Sequence, residues 1–495
     1  MPELWKEATG RGYGAPMRFE GSVTDCEVVG RIPAEIDGAF YRTGAEWYYP
    51  PMFRDDAILN ADGYVSSFRI RNGKVDYHGQ FVRTHRFVEE QKAGRQLYGY
   101  YRNPYTDDPS VRDPKRPNLR TVSNTAPLVH GGRFFTLKED GLPYEADPNT
   151  LATKSTWDFH GKYKSETFSA HPKIDPLTGE MIAYGYEATG LATDDVFLYT
   201  IDKSGQVRHE QRFKQPYVSL IHDMAITHKH VLLPFGGYVA SMERLKDGKI
   251  HWWWDATKPS YIGVARRDGD GKDVRWFKGP LRCMMHVFNA HDEGDKVVLY
   301  APFYDGNFFP FFPNVDGSPF NPVLARSLIR KITLDLSSKS DTWQEEILWP
   351  MSISDLGKVD PRVVSLQSRY LYTSFNDPAK PYDRAACGPG APVRMTNSYG
   401  RFDLQTGKVE SYFAGPTHNL QELSFVPTGR GEEGQGYLVG VASNYAEMRS
   451  ELVILDAQRP AEGDVARVIL PFRISQQVHG VWAANGSGPD QVRMG

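Results

Sequence analysis

The chain has 495 residues, 40% of them hydrophobic and 24% charged, which is enough apolar sequence for a large buried core. Its net charge of −3 gives no field that would attract nucleic acid or an anionic membrane, and no run approaches the roughly 18 apolar residues of a membrane span. Cys26, Cys283 and Cys387 are scattered and odd in number, and the N-terminus has no apolar signal-peptide segment. These features argue against a disulfide framework and predict a cytoplasmic protein.

Residues 1–20 contain glycines and few apolar pairs, which predicts an irregular arm. From Cys26 onward, short strand patterns alternate with turn signals. Asn72-Gly73 is the strongest of these signals, because this pair favours the tight turn of a β-hairpin. Similar signals recur at Gly131-Gly132, 203–205, Asp247-Gly248 and 405–407.

Helical periods are short and few, at Met242–Lys246 and at residues 322–330. Strands of four to seven residues with a turn every ten or so residues predict an all-β fold. The composition does not shift along the chain, so we expect one domain over residues 1–495. A β-propeller is favoured because radial repetition leaves only short, protected sheet edges. The strand period is too loose to give the number of blades.

Three long insertions rich in Tyr, Phe, Pro and Asp interrupt the strands, at residues 98–117, 302–322 and 376–392. Loops of this length in a compact fold are more often functional than not. Their aromatic residues could cap an apolar substrate tunnel, or they could simply shield the core from solvent.

Four histidines lie in similar settings, each flanked by apolar residues in a short strand or at a strand end: His171, His222, His286 and His479. A single histidine on an apolar face is usually a satisfied core residue. Four in like settings, with too few cysteines to compete as ligands, suggest a shared metal ion.

Other histidines receive different interpretations. His228 and His230 follow His222 by six and eight residues, too far along an extended strand to join it at a metal without a bend. His291 lies past a predicted turn, and we expect its side chain to be solvated.

The ordered segments AHPKIDPLTGE, IHDMAITHKH, HVFNAHDEGD and VHGVW resemble the carotenoid cleavage oxygenase superfamily. Four further segments, YRNPYTDDPSV, LKEDGLPYEADPNTL, GKDVRWFK and SELVILDAQ, are similar to its bacterial aromatic branch, which contains lignostilbene dioxygenases and isoeugenol monooxygenases. The resemblance runs from about residue 16 to residue 482. It implies a seven-bladed β-propeller with long loops capping an axial metal site.

The resemblance also implies a non-haem Fe(II) held by His171, His222, His286 and His479. Four neutral imidazoles would leave the ion its +2 charge and open positions for O2. In this family, carboxylates accept the free ring N–H of the ligand histidines. Their positions fall here on Glu139, Glu422 and Asp355. The family has glutamate followed by Phe-Pro at the last position, and aspartate is one methylene shorter, so its reach to a histidine is in question.

The aromatic branch grips a para-hydroxyl of its substrate, and the corresponding residues here are Tyr101 and Lys138. A lysine beside a phenol stabilises the phenolate, which pushes electron density into the conjugated alkene. The alternatives are a salt bridge for Lys138 and a buried, satisfied hydroxyl for Tyr101. Thr125 matches a threonine whose side chain approaches the open metal position in relatives.

One departure concerns Leu59, because relatives acting on stilbenes often carry an aromatic residue in this segment. A differently shaped ring pocket favours small phenylpropenoids such as isoeugenol or 4-vinylguaiacol alongside stilbenes. The hypothesis is therefore an Fe(II)-dependent oxygenase that splits the exocyclic C=C bond of 4-hydroxyphenyl alkenes with O2 to give aldehydes such as vanillin. Its partners are the small substrate and O2, and the oligomeric state stays open, with a homodimer as one option.

Three rival functions are considered. An apocarotenoid or carotenoid cleavage dioxygenase keeps the fold and the iron, but a buried ammonium in a hydrocarbon tunnel costs several kcal/mol unless it is paired. A non-catalytic β-propeller binding protein would bind no iron. A propeller glycosidase needs two carboxylates flanking a sugar and leaves the four histidines unexplained.

Overall fold

The computed structural model describes residues 12–429 and 431–495, and most of its regular structure is β-strand. The first strands are β1 Gly21–Val23, β2 Glu27–Gly30, β3 Gly38–Glu46, β4 Asp62–Arg71, β5 Lys74–Phe81, β6 Ala126–His130, β7 Arg133–Leu137, β8 Tyr144–Ala146, β9 Thr153–Thr156, β10 Lys173–Ile174, β11 Met181–Tyr186, β12 Asp195–Ile201, β13 Val207–Lys214, β14 Ala225–Ile226 and β15 His230–Phe235. The remaining strands are β16 Tyr238–Val239, β17 Trp253–Trp254, β18 Ser260–Arg266, β19 Arg275–Gly279, β20 Asn289–Glu293, β21 Lys296–Ala301, β22 Arg330–Asp335, β23 Gln344–Ile347, β24 Tyr370–Phe375, β25 Ser398–Asp403, β26 Val409–Phe413, β27 His418–Pro427, β28 Gly436–Asn444, β29 Arg449–Asp456, β30 Asp464–Ile469 and β31 His479–Ala484.

Helices are short. The α-helices in the described part are α1 His85–Ala93, α2 Met242–Lys246 and α3 Arg384–Cys387. Single 3-10 turns occur at Gly12–Gly14, Ile58–Asn60, Pro104–Thr106, Pro117–Arg120, Pro361–Val363 and Pro460–Glu462. No helix among the described residues is long and apolar enough to cross a membrane.

The strands form seven antiparallel sheets that follow one another along the chain, which confirms the β-propeller prediction and gives seven blades. In strand order the sheets are β1-β5-β4-β3-β31, β6-β7-β8-β9, β10-β11-β12-β13, β14-β15-β18-β19, β20-β21-β22-β23, β24-β25-β26 and β2-β30-β29-β28-β27. A small hairpin, β16-β17, lies outside them. The core lies between neighbouring sheets, where for example Leu232 of β15 and Leu299 of β21 share one apolar cluster.

The ring is closed by strands from both ends of the chain. β31 pairs antiparallel with β3, with Thr43 opposite His479, and β2 pairs with β30. Arg42 of β3 is fully buried, and its guanidinium donates to the carbonyl oxygens of Glu422 and Gln477. This side chain therefore joins three segments at the closure.

Local turn chemistry explains the predicted hairpins. Asn72 and Gly73 have φ of +53° and +75° between β4 and β5, as a two-residue hairpin loop requires. Gly131 and Gly132 make the same kind of turn between β6 and β7, with φ of +60° and +71°.

The helix predictions are mixed. Met242–Lys246 is helical as predicted, but the helix predicted at 322–330 is wrong: residues 322–324 form a turn, and strand β22 begins at Arg330. Helix α1 was not predicted, because its buried face combines Arg86 and Glu90 with the single apolar residue Phe87 and so has no apolar stripe. Thr84 caps its first turn, and Gly94 ends it with φ of +67°.

Two of the long insertions contribute residues to one apolar cluster. Phe308, Phe309 and Phe312 of residues 302–322 pack in a cluster with Tyr101 of residues 98–117 and with Leu59. We call this group the aromatic cluster. The N-terminal arm predicted over residues 1–20 is only partly described, since residues 1–11 lie outside the described part.

Candidate metal centre

Four edge strands bring the four histidines to one point. His171, His222 and His286 lie two or three residues before β10, β14 and β20, and His479 is the first residue of β31. One ligand atom from each residue lies within 4.8 Å of those of the other three. The structure therefore assembles the group that the sequence singled out from four different sheets.

The ring nitrogens face one another at short range. Nε2 of His222 lies 3.1 Å from Nε2 of His171 and 3.2 Å from Nε2 of His286. Nε2 of His479 is buried and has no hydrogen-bond partner. A buried, unpaired nitrogen beside three other imidazole nitrogens is the donor set that a divalent transition metal accepts.

Three of the rings are held from behind by carboxylates. Nδ1 of His222 lies 2.6 Å from Oε2 of Glu139, and Nδ1 of His286 lies 2.6 Å from Oδ2 of Asp355. Aspartate thus reaches its histidine despite the shorter side chain.

Nδ1 of His479 lies 2.9 Å from Oε1 of Glu422. Each carboxylate accepts an Nδ1–H, which fixes the tautomer that leaves Nε2 free to bind a metal. Among the described residues, His171 has no such carboxylate.

The electrostatics favour neutral rings at His171 and His479 and an ionised carboxylate at Glu139. Burial lowers the pKa of His171 well below its usual value, and it lowers the pKa of His479 to about 4 although Glu422 opposes the shift. Burial alone would raise the pKa of Glu139, but the neighbouring His222 lowers it to about 2. Burial also opposes protonation of His222, yet Glu139 raises the pKa of that ring, so a proton would compete with a cation there as the pH falls.

A second polar group lies beside Glu139. The hydroxyl of Tyr101 donates to Oε1 of Glu139 at 3.3 Å. The ammonium of Lys138 donates to the carbonyl of Leu59 and to Oδ1 of Asn124, both at 2.9 Å. Among the described residues Lys138 has no carboxylate within salt-bridge distance, so the salt-bridge alternative is wrong.

Asn124 is a residue that the sequence did not single out. Its Oδ1 accepts from Lys138 and from the hydroxyl of Thr125 at 3.2 Å, and its amide donates to the carbonyls of Leu59 and Ala61. In the sequence, its position beside Thr125 is the only feature that could have indicated a place in this group.

Burial shifts the pKa values of this group in opposite directions. It lowers the pKa of the Lys138 ammonium. It raises the pKa of Tyr101 well above its usual value, and the charge of Glu139 adds to the increase. Tyr101 is therefore a neutral phenol, and Lys138 gives up its proton more readily than a lysine in water.

The other histidines lie outside the group. Nδ1 of His230 is 2.9 Å from Oδ1 of Asp292, and His228 is exposed. The prediction for His291 is wrong: the side chain is buried in β20 and its ring stacks on Tyr300 at 6.0 Å. The strand runs on to Glu293, so the turn comes after this histidine and not before it.

A cavity of about 570 Å³ reaches the centre. His171, His286 and His479 line it, whereas Tyr101 and Lys138 do not. We call it the axial cavity. The axial cavity is thus open to three of the four histidines.

The chain is similar to known proteins along nearly its whole length. The family model described as "Retinal pigment epithelial membrane protein" matches residues 14–484. Lignostilbene-alpha,beta-dioxygenase isozyme III of Sphingomonas paucimobilis is 39% identical over 477 residues, which cover 95% of this chain and 96% of that enzyme. Isoeugenol monooxygenase of Pseudomonas putida is 39% identical over 471 residues, covering 94% and 96%.

A solved structure agrees with these matches. The crystal structure of lignostilbene dioxygenase from Pseudomonas brassicacearum has a TM-score of 0.93 at 37% identity and covers 98% of this chain and all of that one. The range matched by the family model spans the four histidines and the three carboxylates that are hydrogen-bonded to three of them.

Proposed function

Because the chain belongs to the family of the retinal pigment epithelial membrane protein, the carotenoid cleavage oxygenases, we propose that it is a ferrous-iron-dependent oxygenase. It cleaves the exocyclic C=C bond of 4-hydroxyphenyl alkenes with O2. The observation that carries this proposal is the buried Lys138–Tyr101 pair, which contacts Glu139 and so adjoins the four-histidine group.

The four-histidine group fits ferrous iron. Its ligands would be His171, His222, His286 and His479, each offering a neutral imidazole nitrogen. Bound there, the ion would supply the place where O2 meets an electron-rich alkene. Glu139, Asp355 and Glu422 hold three of the rings in the required tautomer.

Lys138 and Tyr101 would receive the 4-hydroxyl of the substrate. Lys138 uses two of its three N–H donors on neutral oxygens, which leaves one for a phenol oxygen. Tyr101 donates its own proton to Glu139 and can therefore accept one from the substrate. A positive charge beside the phenol favours the phenolate, which enriches the conjugated alkene in electrons.

Thr125 and the aromatic cluster would shape the remainder of the site. The Thr125 hydroxyl donates to Oδ1 of Asn124, the same atom that accepts from Lys138, so Thr125 and Lys138 share one polar partner. The rings of the aromatic cluster offer flat apolar surfaces to a phenyl ring.

Reaction stoichiometry requires no further cofactor. Each carbon of the cleaved double bond gains one oxygen atom, so the products are an aromatic aldehyde, such as vanillin from isoeugenol, and a second carbonyl fragment. Both electron pairs of the C=C bond go to oxygen, and no external reductant is needed.

Two other parts of the proposal concern substrate class and location. Cleavage of an apocarotenoid is the less favoured activity, because the buried ammonium of Lys138 would face a hydrocarbon.

The enzyme would work in the cytoplasm, which fits three buried cysteines that are all free.

The first test is anaerobic purification with metal analysis, followed by O2 and isoeugenol. We expect about one iron per chain and vanillin as product, both lost in His222→Ala. Iron without vanillin would move the substrate to stilbenes or apocarotenoids. A folded protein that binds no iron after reconstitution would overturn the oxygenase proposal in favour of a binding protein.

A further inference from the structure

One short turn supports two of the four histidines. Residues 353–358 run beside β24: Ile353 pairs with Phe375, and Lys358 pairs with Tyr372 through backbone hydrogen bonds of 2.8 and 2.9 Å. Between these anchors the chain turns towards the centre. Its Asp355 carboxylate meets His286.

Gly357 allows this turn to pass its neighbour closely. A Cβ atom on Gly357 would lie 1.7 Å from a ring carbon of Phe288, so any larger residue would displace the ring or the turn. The next residue, Lys358, therefore has a fixed backbone position. Its side chain is 32% exposed and lines the axial cavity.

The ammonium of Lys358 lies 3.0 Å from Oε1 of Glu422, the same oxygen that accepts Nδ1–H of His479. Oε2 of Glu422 accepts the backbone N–H of Gly480 at 2.7 Å. In the described part of the chain, Glu422 is the only one of the three ring-bonded carboxylates with a lysine ammonium in contact. The Glu422 side chain is 2% exposed, so its charge needs a partner.

Arg42, the other cation near Glu422, does not fill that role. Its guanidinium donates to the backbone carbonyl of Glu422 and not to the carboxylate. Lys358 is thus the cation that holds the carboxylate in place.

We propose that Lys358 is a positioning residue of the metal centre: its ammonium fixes the Glu422 carboxylate, and through it the ring of His479. This role rests on the proposed metal binding. It goes beyond that proposal because Lys358, which is neither a metal ligand nor one of the carboxylates bonded to a ligand, would contribute to the affinity and geometry of the centre. Partners of ligand histidines typically contribute roughly 10- to 100-fold to metal affinity.

The experiment measures Co²⁺ binding to metal-free full-length protein, by chelator competition and by the visible absorption of the bound ion. We expect Lys358→Met to bind Co²⁺ more weakly than wild type, by at most the roughly 10- to 100-fold that loss of a direct histidine partner costs, with a changed absorption band. Lys358→Arg should restore most of the affinity. In a Glu422→Gln background, Lys358→Met should have little further effect, because the two residues act as one unit.

Lys173→Met is the matched control. Lys173 also lines the axial cavity and pairs with Asp223 at 2.7 Å, but that carboxylate accepts from the backbone N–H groups of Met224 and Val287 rather than from a ligand ring. We expect the Co²⁺ affinity and the absorption band of Lys173→Met to match those of the wild type.

A purely structural role for Lys358 would give a different result. Lys358→Met would then melt at a lower temperature, while the folded protein kept the wild-type Co²⁺ affinity and band; that result overturns the inference. Lys358→Gln is measured in parallel in case the methionine variant does not fold. Failure of the wild type itself to bind Co²⁺ or Fe²⁺ would overturn the proposed function, and the inference with it.

Discussion

The ammonium nitrogen of Lys138 lies 4.8 Å from the ring centre of Tyr101. The two side chains come from different elements, and each is fixed by a separate bond: Lys138 to the Leu59 carbonyl, and Tyr101 to Glu139. The ammonium of Lys138 and the neutral phenol of Tyr101 are therefore held side by side, and each has its own separate hydrogen-bond partner.

Lys138→Met should remove selectivity for the free phenol. A hydrogen bond to a charged group contributes about 1.5–3 kcal/mol, so we expect kcat/KM for isoeugenol to fall roughly 10- to 100-fold. The isoeugenol methyl ether, which has no acidic proton, should be affected far less. An equal loss on both substrates would mean that Lys138 only maintains the fold.

Leu59→Phe should shift the preference towards stilbenes. Leu59 belongs to the aromatic cluster, and a ring at this position would offer a flat face to the second phenyl group of a stilbene. We expect the ratio of kcat/KM for a hydroxystilbene to that for isoeugenol to rise several-fold. The exposed neighbour Ile58 is the control: Ile58→Phe should leave the ratio unchanged, and an equal shift there would contradict the assignment.

Stability should fall between about pH 4.5 and pH 8 because of Glu46. Burial raises the pKa of Glu46 to about 8, so the folded protein keeps a proton that the unfolded chain releases above its ordinary pKa of 4.5. Since the unfolded state binds fewer protons in this window, the free energy of unfolding decreases with pH, by at most about 1.4 kcal/mol per pH unit.

Denaturant unfolding at several pH values measures this slope. Glu46→Gln should flatten it, because the amide cannot titrate. Glu27→Gln, at an exposed position of β2, should leave it unchanged. A slope that is the same in all three proteins would exclude Glu46 as its source.

Arg42→Met should loosen the closure of the ring. The substitution leaves the buried carbonyls of Glu422 and Gln477 without their donor, at a cost of about 1–3 kcal/mol each. We expect the free energy of unfolding to drop by about 3 kcal/mol. Arg71→Met, at the exposed end of β4, should change it by less than about 0.5 kcal/mol, and similar losses in both variants would argue against a special role at the closure.

Local chemistry made much of the fold predictable. Asn72-Gly73 and Gly131-Gly132 encode their hairpins in two residues each, and such turns repeated along the chain identify the fold class. Helix α1 escaped prediction because two of its three buried residues, Arg86 and Glu90, are charged and pair only in the folded state. The side chain of His291 was wrongly expected to be solvated, because the length of a strand depends on the strands that pair with it and cannot be read from the local sequence.

The four-histidine group was predictable because its members share a sequence setting, and their convergence is now visible in the structure. That the group binds iron stays a prediction. The reach of Asp355 and the contact between Lys358 and Glu422 depend on how the chain turns at Gly357, which no local pattern reveals.

The strand that closes the ring also carries the fourth histidine. During synthesis on the ribosome, His171, His222 and His286 emerge well before His479, which reaches the others only when β31 pairs with β3. A nascent chain can therefore offer an ion at most three of the four imidazoles. We expect tight metal loading to follow completion of the ring, so that iron would not be held firmly by unfinished chains.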